Sequence, residues 1–158
     1  VVTGRAVLHL ESADHGARRA VEHAALRQRE AVLGQRVIHA DETPVQMLTP
    51  GEKKTHRAYV WAYSTTPFAD LKAVVYDFSP SRAGEHARNF LGQWNGKLVC
   101  DDFAGYKASF EQGITEIGCM AHARRKFFDL HAANKSQLAE QALHSKLGCT
   151  KSNAKCAT

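Results

Sequence analysis

The sequence predicts an α/β fold in which helices pack against a mixed β-sheet. Three short segments rich in β-branched and aromatic residues come first, at residues 36–40, 57–63 and 71–78, with turn residues between them. Helical and strand patterns then alternate from residue 82 to residue 133. A chain of 158 residues with 44% apolar residues is large enough for one domain with a hydrophobic core.

The first 34 residues form a separate segment that is rich in Ala, Arg and His. Its apolar positions, such as Val21, Leu26 and Val32, have a loose helical spacing. Gly34 is a suitable residue to end a helix. We therefore predict a helical segment over residues 1–34, and we find no chemical motif in it.

Residues 35–145 contain the predicted sheet. Short turns join the first three strands, which predicts an antiparallel meander. Ser81 is placed to cap a helix over residues 82–91, and Gly92 to end it. The later elements are a strand at 97–100, a turn or helix at 105–106, a strand at 114–119 and a helix at 121–133. This order is that of an RNase H-like fold with a mixed five-stranded sheet and flanking helices.

Charge and composition indicate a cytoplasmic protein with a polyanionic partner. The formal net charge is +5, and nine histidines add to it below neutral pH. No apolar run approaches the roughly 20 residues that span a bilayer, and no signal-peptide pattern is found, so we expect no membrane partner. The four cysteines have no paired spacing, which favours reduced thiols.

Two aspartates follow strands that we expect to be neighbours in the sheet. Asp41 comes after the first strand and Asp101 after the fourth, so their carboxylates would converge at one end of the sheet. Divalent cations such as Mg²⁺ need oxygen ligands of this kind. Two such ions about 4 Å apart activate the attacking oxygen and stabilise the leaving oxygen in phosphodiester chemistry. Aspartate at a strand end is also ordinary turn chemistry, so spacing alone leaves both interpretations open.

Three motifs occur in a fixed order: His39-Ala-Asp-Glu-Thr-Pro-Val45, Leu98-Val-Cys-Asp-Asp-Phe-Ala-Gly-Tyr106 and Gly118-Cys-Met-Ala-His-Ala-Arg-Arg-Lys-Phe-Phe128. Together they resemble the DDE transposases of bacterial insertion sequences, specifically the insertion sequence sixty-six family, over about residues 35–145. The resemblance implies DNA transposition, in which two Mg²⁺ or Mn²⁺ ions support cleavage at a transposon end and attack of the 3′-OH on target DNA. It implies double-stranded DNA as the partner and the nucleoid as the location of the bound protein. Whether the protein forms a homo-oligomer is left open.

The same resemblance assigns roles to the acidic residues. Asp41 and Asp101 correspond to catalytic, metal-binding carboxylates. Asp102 occupies a place where the family often has Gly, so we favour Asp101 over Asp102. Glu42 would point to the opposite face if its strand continues, and we interpret it as structural or as a support of the metal ligands.

The third motif supplies a thiol, an imidazole and three cations. Cys119 and His122 form a Cys-x-x-His pair that the resemblance implies as support of the active site. A zinc site would need four ligands, and no other Cys or His pair has a suitable spacing. Arg124, Arg125 and Lys126 oppose the helix dipole at a helix start, and beside a DNA-cutting site they would contact phosphates. A solvated helix face is the alternative, and the sequence does not decide between the two.

The third carboxylate of DDE enzymes has no counterpart in the tail, residues 146–158. The family has a segment like Gly-Leu-Tyr-x-Val-Glu-Arg shortly after the helix that here covers residues 137–143. A shifted reading frame over residues 148–158 is compatible with Gly-Leu-His-Glu-Val-Glu-Arg-Gln-Val-Arg-Asp. We therefore hypothesise a frameshift near Lys146, which incompatible codons would disprove.

The loss of the third acid determines the activity that we expect. Glu140 is a nearby carboxylate, but it precedes the expected position. We expect the chain to be a truncated catalytic core with little or no strand-transfer activity of its own. The alternatives are a competent nuclease that uses another acid, such as Glu140 or Asp102, and a non-catalytic DNA-binding or regulatory remnant of a transposase.

Overall fold

The structure, a computed structural model, describes residues 2–3, 15–48, 51 and 54–152, and side chains within residues 19–48, 51 and 54–145. The chain divides into two compact units, Val1–Ile117 and Gly118–Thr158. The predicted core of residues 35–145 therefore contains a unit boundary, and the N-terminal helix belongs to the same unit as the sheet. Among the residues placed by the structure, no helix combines the length and the apolar character that a membrane crossing requires.

The sheet is mixed and follows the predicted meander. Its strands are β1 (Val2–Thr3), β2 (Val37–Leu48), β3 (Thr55–Thr65), β4 (Val74–Ser79), β5 (Lys97–Cys100) and β6 (Thr115–Gly118). Their order across the sheet is β1-β4-β3-β2-β5-β6. β3 is antiparallel to both β2 and β4, whereas β5 is parallel to β2. The predicted five-stranded mixed sheet is confirmed, and the two-residue β1 adds a sixth strand parallel to β4. The strand order of the sheet is compatible with an RNase H-like topology.

The helices agree with the predicted order. They are α1 (His15–Leu33), α2 (Gly84–Leu91), a short 3-10 helix (Ala104–Tyr106), α3 (Lys107–Glu111), α4 (Met120–Asn134) and α5 (Gln137–Ser152). The prediction of Ser81 as the cap of α2 was wrong, because α2 begins after Ala83. The Ser81 hydroxyl instead forms a hydrogen bond with His86 Nε2 at 2.9 Å.

The hydrophobic core lies against one face of the sheet, where alternate residues of neighbouring strands share a side. Helices α1 and α2 contribute buried residues to this core. The Tyr63 ring stacks on the Phe90 ring of α2, with ring centroids 3.7 Å apart. The strand members of the core include Ile38, Ala40, Trp61, Tyr63, Val75, Leu98 and Cys100.

Strand β2 is longer than the sequence predicts. Its pairing with β5 ends at His39, but its pairing with β3 continues to Leu48. Pro44 lies in the continued part, opposite Tyr59. The pairing with β5 does not extend to Pro44, so the missing N–H of proline is tolerated as on an edge strand. Asp41 therefore lies within a strand and not at its end.

Candidate active site

Asp41 lies within β2, and Asp101 directly follows β5, the parallel neighbour of β2. The register pairs Ile38 with Leu98 and His39 with Val99. The pairing ends there, and β5 itself ends at Cys100. If the register is continued two residues beyond its last pair, Asp41 is level with Asp101. The adjacency of the two strands, from which the sequence predicts converging carboxylates, is therefore present, whereas metal binding by these residues stays a prediction.

Asp41 and its neighbour Glu42 point to opposite faces of β2. Burial alternates along the strand, so that Ile38, Ala40 and Glu42 are buried while Asp41 is exposed. Only 8% of Glu42 is exposed to solvent. The expectation that Glu42 turns away from the Asp41 face is confirmed, because side chains alternate along a continuous strand.

The buried Glu42 carboxylate connects two loops of the first unit. Tyr106, at the end of the 3-10 helix, donates its hydroxyl to Glu42 Oε2 at 3.1 Å. Arg82, just before α2, donates its Nε to Glu42 Oε1 at 2.8 Å and also donates one terminal nitrogen to this oxygen. A carboxylate accepts several such hydrogen bonds, which offsets part of the cost of its burial. Glu42 thus holds the segments before α2 and after β5 against β2.

The Arg82 side chain extends from Glu42 to the Asp101 turn. Its guanidinium carbon lies 4.0 Å from the centroid of the Phe103 ring, in a cation–π contact. One of its terminal nitrogens lies 3.9 Å from Asp101 Oδ2. The other Asp101 oxygen, Oδ1, accepts the backbone N–H of Phe103 at 3.0 Å, which closes a local turn. Asp101 is thereby fixed at the end of β5, whereas the neighbouring Asp102 is exposed.

Two glycines allow the Asp101 turn to approach α2. A Cβ atom on Gly84 would lie 2.3 Å from the carbonyl oxygen of Gly105. A Cβ atom on Gly105 would lie 2.1 Å from the Phe103 ring. Both distances are too short for real atoms, so the Phe-Ala-Gly-Tyr motif needs glycine for close packing.

Burial and neighbouring charges shift the pKa values of this cluster. Burial raises the pKa of Glu42, Asp101 adds to the rise, and the hydrogen bonds from Arg82 and Tyr106 oppose it. Burial and the negative charge of Glu42 raise the pKa of Tyr106. Burial alone would lower the pKa of Arg82, but Glu42 and Asp101 outweigh that effect and raise it. Arg82 therefore remains a cation, and Tyr106 remains a neutral hydrogen-bond donor.

Glu42→Gln is expected to change the pH dependence of stability. Folding raises the pKa of Glu42 above its ordinary value of 4.5. This shift contributes fully to the free energy of unfolding below pH 4.5, and the contribution is lost as pH rises through the pKa of the folded state. Glutamine does not titrate. Urea unfolding from about pH 4.5 to about pH 7.5 should show wild-type stability falling relative to the variant as pH rises.

A matched variant for this measurement is Glu85→Gln, which removes one negative charge at an exposed position of α2. Wild-type stability that stays constant or rises relative to that of Glu42→Gln as pH increases would contradict the raised pKa of Glu42.

The second unit contains the remaining predicted site residues. Cys119 immediately precedes α4, His122 lies in its first turn, and both are half-buried. The predicted helix is confirmed, and Arg124 on it is half-buried, whereas Arg125 and Lys126 are exposed. The roles of these five residues stay predictions.

Glu140, the nearby carboxylate considered as a third acid, lies on α5. Glu140 is exposed on α5, with its Oε1 atom 4.0 Å from His144 Nε2. The side chains of residues 146–158, where the third acid and the frameshift are at issue, lie outside the described residues. Within the described part of the chain, no group of three or more His, Cys, Asp or Glu side chains is placed to hold a metal ion.

Arg82 is the residue of this cluster that the sequence-based reasoning missed. Its signal is its position two residues before α2, where a positive charge opposes the helix dipole. A cation in that position needs a partner, but the sequence does not show that Glu42, forty positions earlier, is that partner.

Three proteins of Sinorhizobium fredii strain NGR234 are similar to this chain. The uncharacterized protein y4qI is 36% identical over 122 residues, which cover 70% of this chain and 22% of that protein. The uncharacterized proteins y4jD and y4hP are 35% and 31% identical over 59% and 63% of this chain.

The chain thus spans about a fifth of the length of these relatives, with 20% and 19% of y4jD and y4hP covered. No solved structure matches the chain. The family described as "Transposase IS66 family" matches residues 9–157, nearly the whole sequence. The chain therefore belongs to the IS66 family of transposases.

Proposed function

We propose that this chain carries two carboxylates of a DDE-type catalytic core, which cleaves a phosphodiester bond at a transposon end and joins the 3′-OH to target DNA. The observation that carries the proposal is the parallel register of β2 and β5, because its continuation two residues beyond the last pair would set Asp41 level with Asp101. Membership of the IS66 family supports DNA as the substrate.

The two aspartates fit a divalent ion such as Mg²⁺ or Mn²⁺. Their carboxylate oxygens are hard ligands, and Mg²⁺ is commonly bound through one or two carboxylates together with substrate phosphates. Asp41 is exposed, and 25% of the Asp101 side chain is exposed, so both are accessible to solvent. A bound ion would supply Lewis-acid stabilisation and a more reactive oxygen nucleophile.

The other residues of the cluster would prepare these ligands. The Phe103 N–H fixes one oxygen of Asp101, which limits the orientations that this carboxylate adopts. Glu42 is occupied by Arg82 and Tyr106, so it supports the site from the buried face of β2 and is not itself a metal ligand. For the second unit, the resemblance of its motif to the family is the basis for proposing that Cys119 and His122 support the active site and that Arg124, Arg125 and Lys126 hold the DNA backbone without reading its sequence.

We propose further that the chain has little or no strand-transfer activity of its own. DDE chemistry uses three carboxylates, and the tail, residues 146–158, contains no acidic residue that could match the family's third one. The same departure from the family pattern favours a second candidate function, a DNA-binding or regulatory remnant that does not cleave. A nuclease that recruits Glu140 or Asp102 is the remaining alternative.

A cleavage assay with the purified 158-residue chain and DNA carrying the ends of its element tests this proposal. We expect the chain to bind the DNA, to bind it more tightly with Mn²⁺, and to lose that gain in Asp41→Asn. Robust turnover that Asp41→Asn abolishes would disprove the proposed inactivity. DNA binding that depends on salt but neither on Mn²⁺ nor on Asp41 would favour the non-catalytic remnant.

A further inference from the structure

Arg82 lies beside Asp101, one of the two candidate metal ligands, and is held from several directions. Glu42 Oε1 accepts hydrogen bonds from two of its nitrogens, and the Phe103 ring lies under its guanidinium plane. Because Glu42 is itself fixed by Tyr106, the guanidinium is held by groups on two different segments of the chain. The long Arg82 side chain is therefore ordered before any ligand arrives.

The hydrogen bonds to Glu42 do not use the whole guanidinium. A guanidinium has five N–H donors, and Glu42 Oε1 accepts two of them. The Asp101 Oδ2 atom, at 3.9 Å, is too far for a hydrogen bond. The Arg82 side chain is 43% exposed. Arg82 thus presents donors to solvent at the edge where Asp101 lies.

We propose that Arg82 binds a DNA phosphate beside Asp101, a candidate metal ligand, and so positions the backbone for cleavage. This inference rests on the proposed function. A planar guanidinium donates two parallel hydrogen bonds to phosphate oxygens, which fixes the orientation of the phosphate as well as its position. The carboxylates Glu42 and Asp101 near Arg82 repel a phosphate, and the positive charge of Arg82 offsets part of that repulsion.

Salt-dependent DNA binding by Arg82→Gln tests this inference without requiring catalysis. The probe is a 20-base-pair duplex, titrated with the full chain in EDTA at several salt concentrations. Loss of one phosphate contact is expected to make the slope of log K against log salt concentration shallower by about 0.9, where K is the association constant for DNA. This change corresponds to a loss of affinity of about eightfold near 0.1 M salt. Arg82→Lys keeps the charge and should keep the slope.

The matched control is Arg36→Gln, which removes the same charge at an exposed position just before β2. If Arg82→Gln does not fold, the comparison of Glu42→Gln with the double variant Glu42→Gln/Arg82→Gln replaces it, because no buried carboxylate is then left unpaired. The same reduction in slope is expected there.

The possible outcomes separate this inference from the proposed function. In one outcome, wild type binds DNA and responds to Mn²⁺, but Arg82→Gln changes the salt slope no more than Arg36→Gln does. The double variant compared with Glu42→Gln would give the same result. This outcome disproves the phosphate contact and leaves the proposed function standing. If the wild-type chain binds neither DNA nor Mn²⁺, both are overturned.

Discussion

Trp61→Ala is expected to lower the free energy of unfolding by about 3–5 kcal/mol, the range for removal of a large aromatic side chain from a core. Trp61 is fully buried on β3, opposite Glu42 in the register. Its ring lies 6.2 Å from Phe103 and 6.0 Å from Tyr106, between ring centroids. The cavity would therefore form directly beneath the turn that holds Asp101, so this variant should damage the fold and the site together.

Urea unfolding followed by far-UV circular dichroism measures this effect. Trp61→Phe keeps a ring but loses the hydrogen bond from Nε1 to Ser79 Oγ, which measures 2.8 Å, and should cost less. Phe68→Ala is the control, since Phe68 is 77% exposed and its loss should change stability by less than about 0.5 kcal/mol. A loss below about 1 kcal/mol for Trp61→Ala would show that Trp61 does not support the core as described.

Asp101→Asn is expected to weaken Mn²⁺ binding by at least about tenfold. Changes in groups that only orient a metal ligand cost about 10–100-fold in affinity, and a direct ligand should cost no less. Asp101 is fixed by the Phe103 N–H and directly follows β5, which is paired with β2, whereas the adjacent Asp102 is exposed. Titration calorimetry with Mn²⁺ compares the variants with wild type.

Asp102→Asn is the matched control, because it makes the same change one position later and should alter Mn²⁺ affinity by less than about twofold. A loss in Asp102→Asn that equals or exceeds the loss in Asp101→Asn would move the second ligand to Asp102. Circular dichroism of each variant would confirm that the fold is unchanged.

The sheet was predictable because its signals are local and repeat along the chain. Short runs of aromatic, β-branched and other apolar residues mark β3 and β5, turn residues separate the strands of the meander, and topology then places β5 beside β2. Because side chains alternate along a continuous strand, Asp41 and Glu42 are expected to face opposite sides. The adjacency of β2 and β5 brings the segments that carry Asp41 and Asp101 next to each other.

The features that the sequence did not reveal depend on contacts between distant residues. Pro44 and the polar residues before it predict the end of β2, but pairing with β3 carries the strand on to Leu48. Ser81 has the composition of a helix cap, yet its hydroxyl pairs with His86. The role of Arg82 depends on Glu42 and Phe103, which come from separate segments, so no local pattern identifies it.

The most direct test of a shared metal site is the Mn²⁺ affinity of Asp41→Asn, Asp101→Asn and the double variant, measured by titration calorimetry on the folded chain. If both carboxylates hold the same ion, each single variant should lose most of the affinity, and the double variant should lose much less than the sum of the two losses. Full additivity of the two losses, or Mn²⁺ binding unchanged by either substitution, would contradict a shared site.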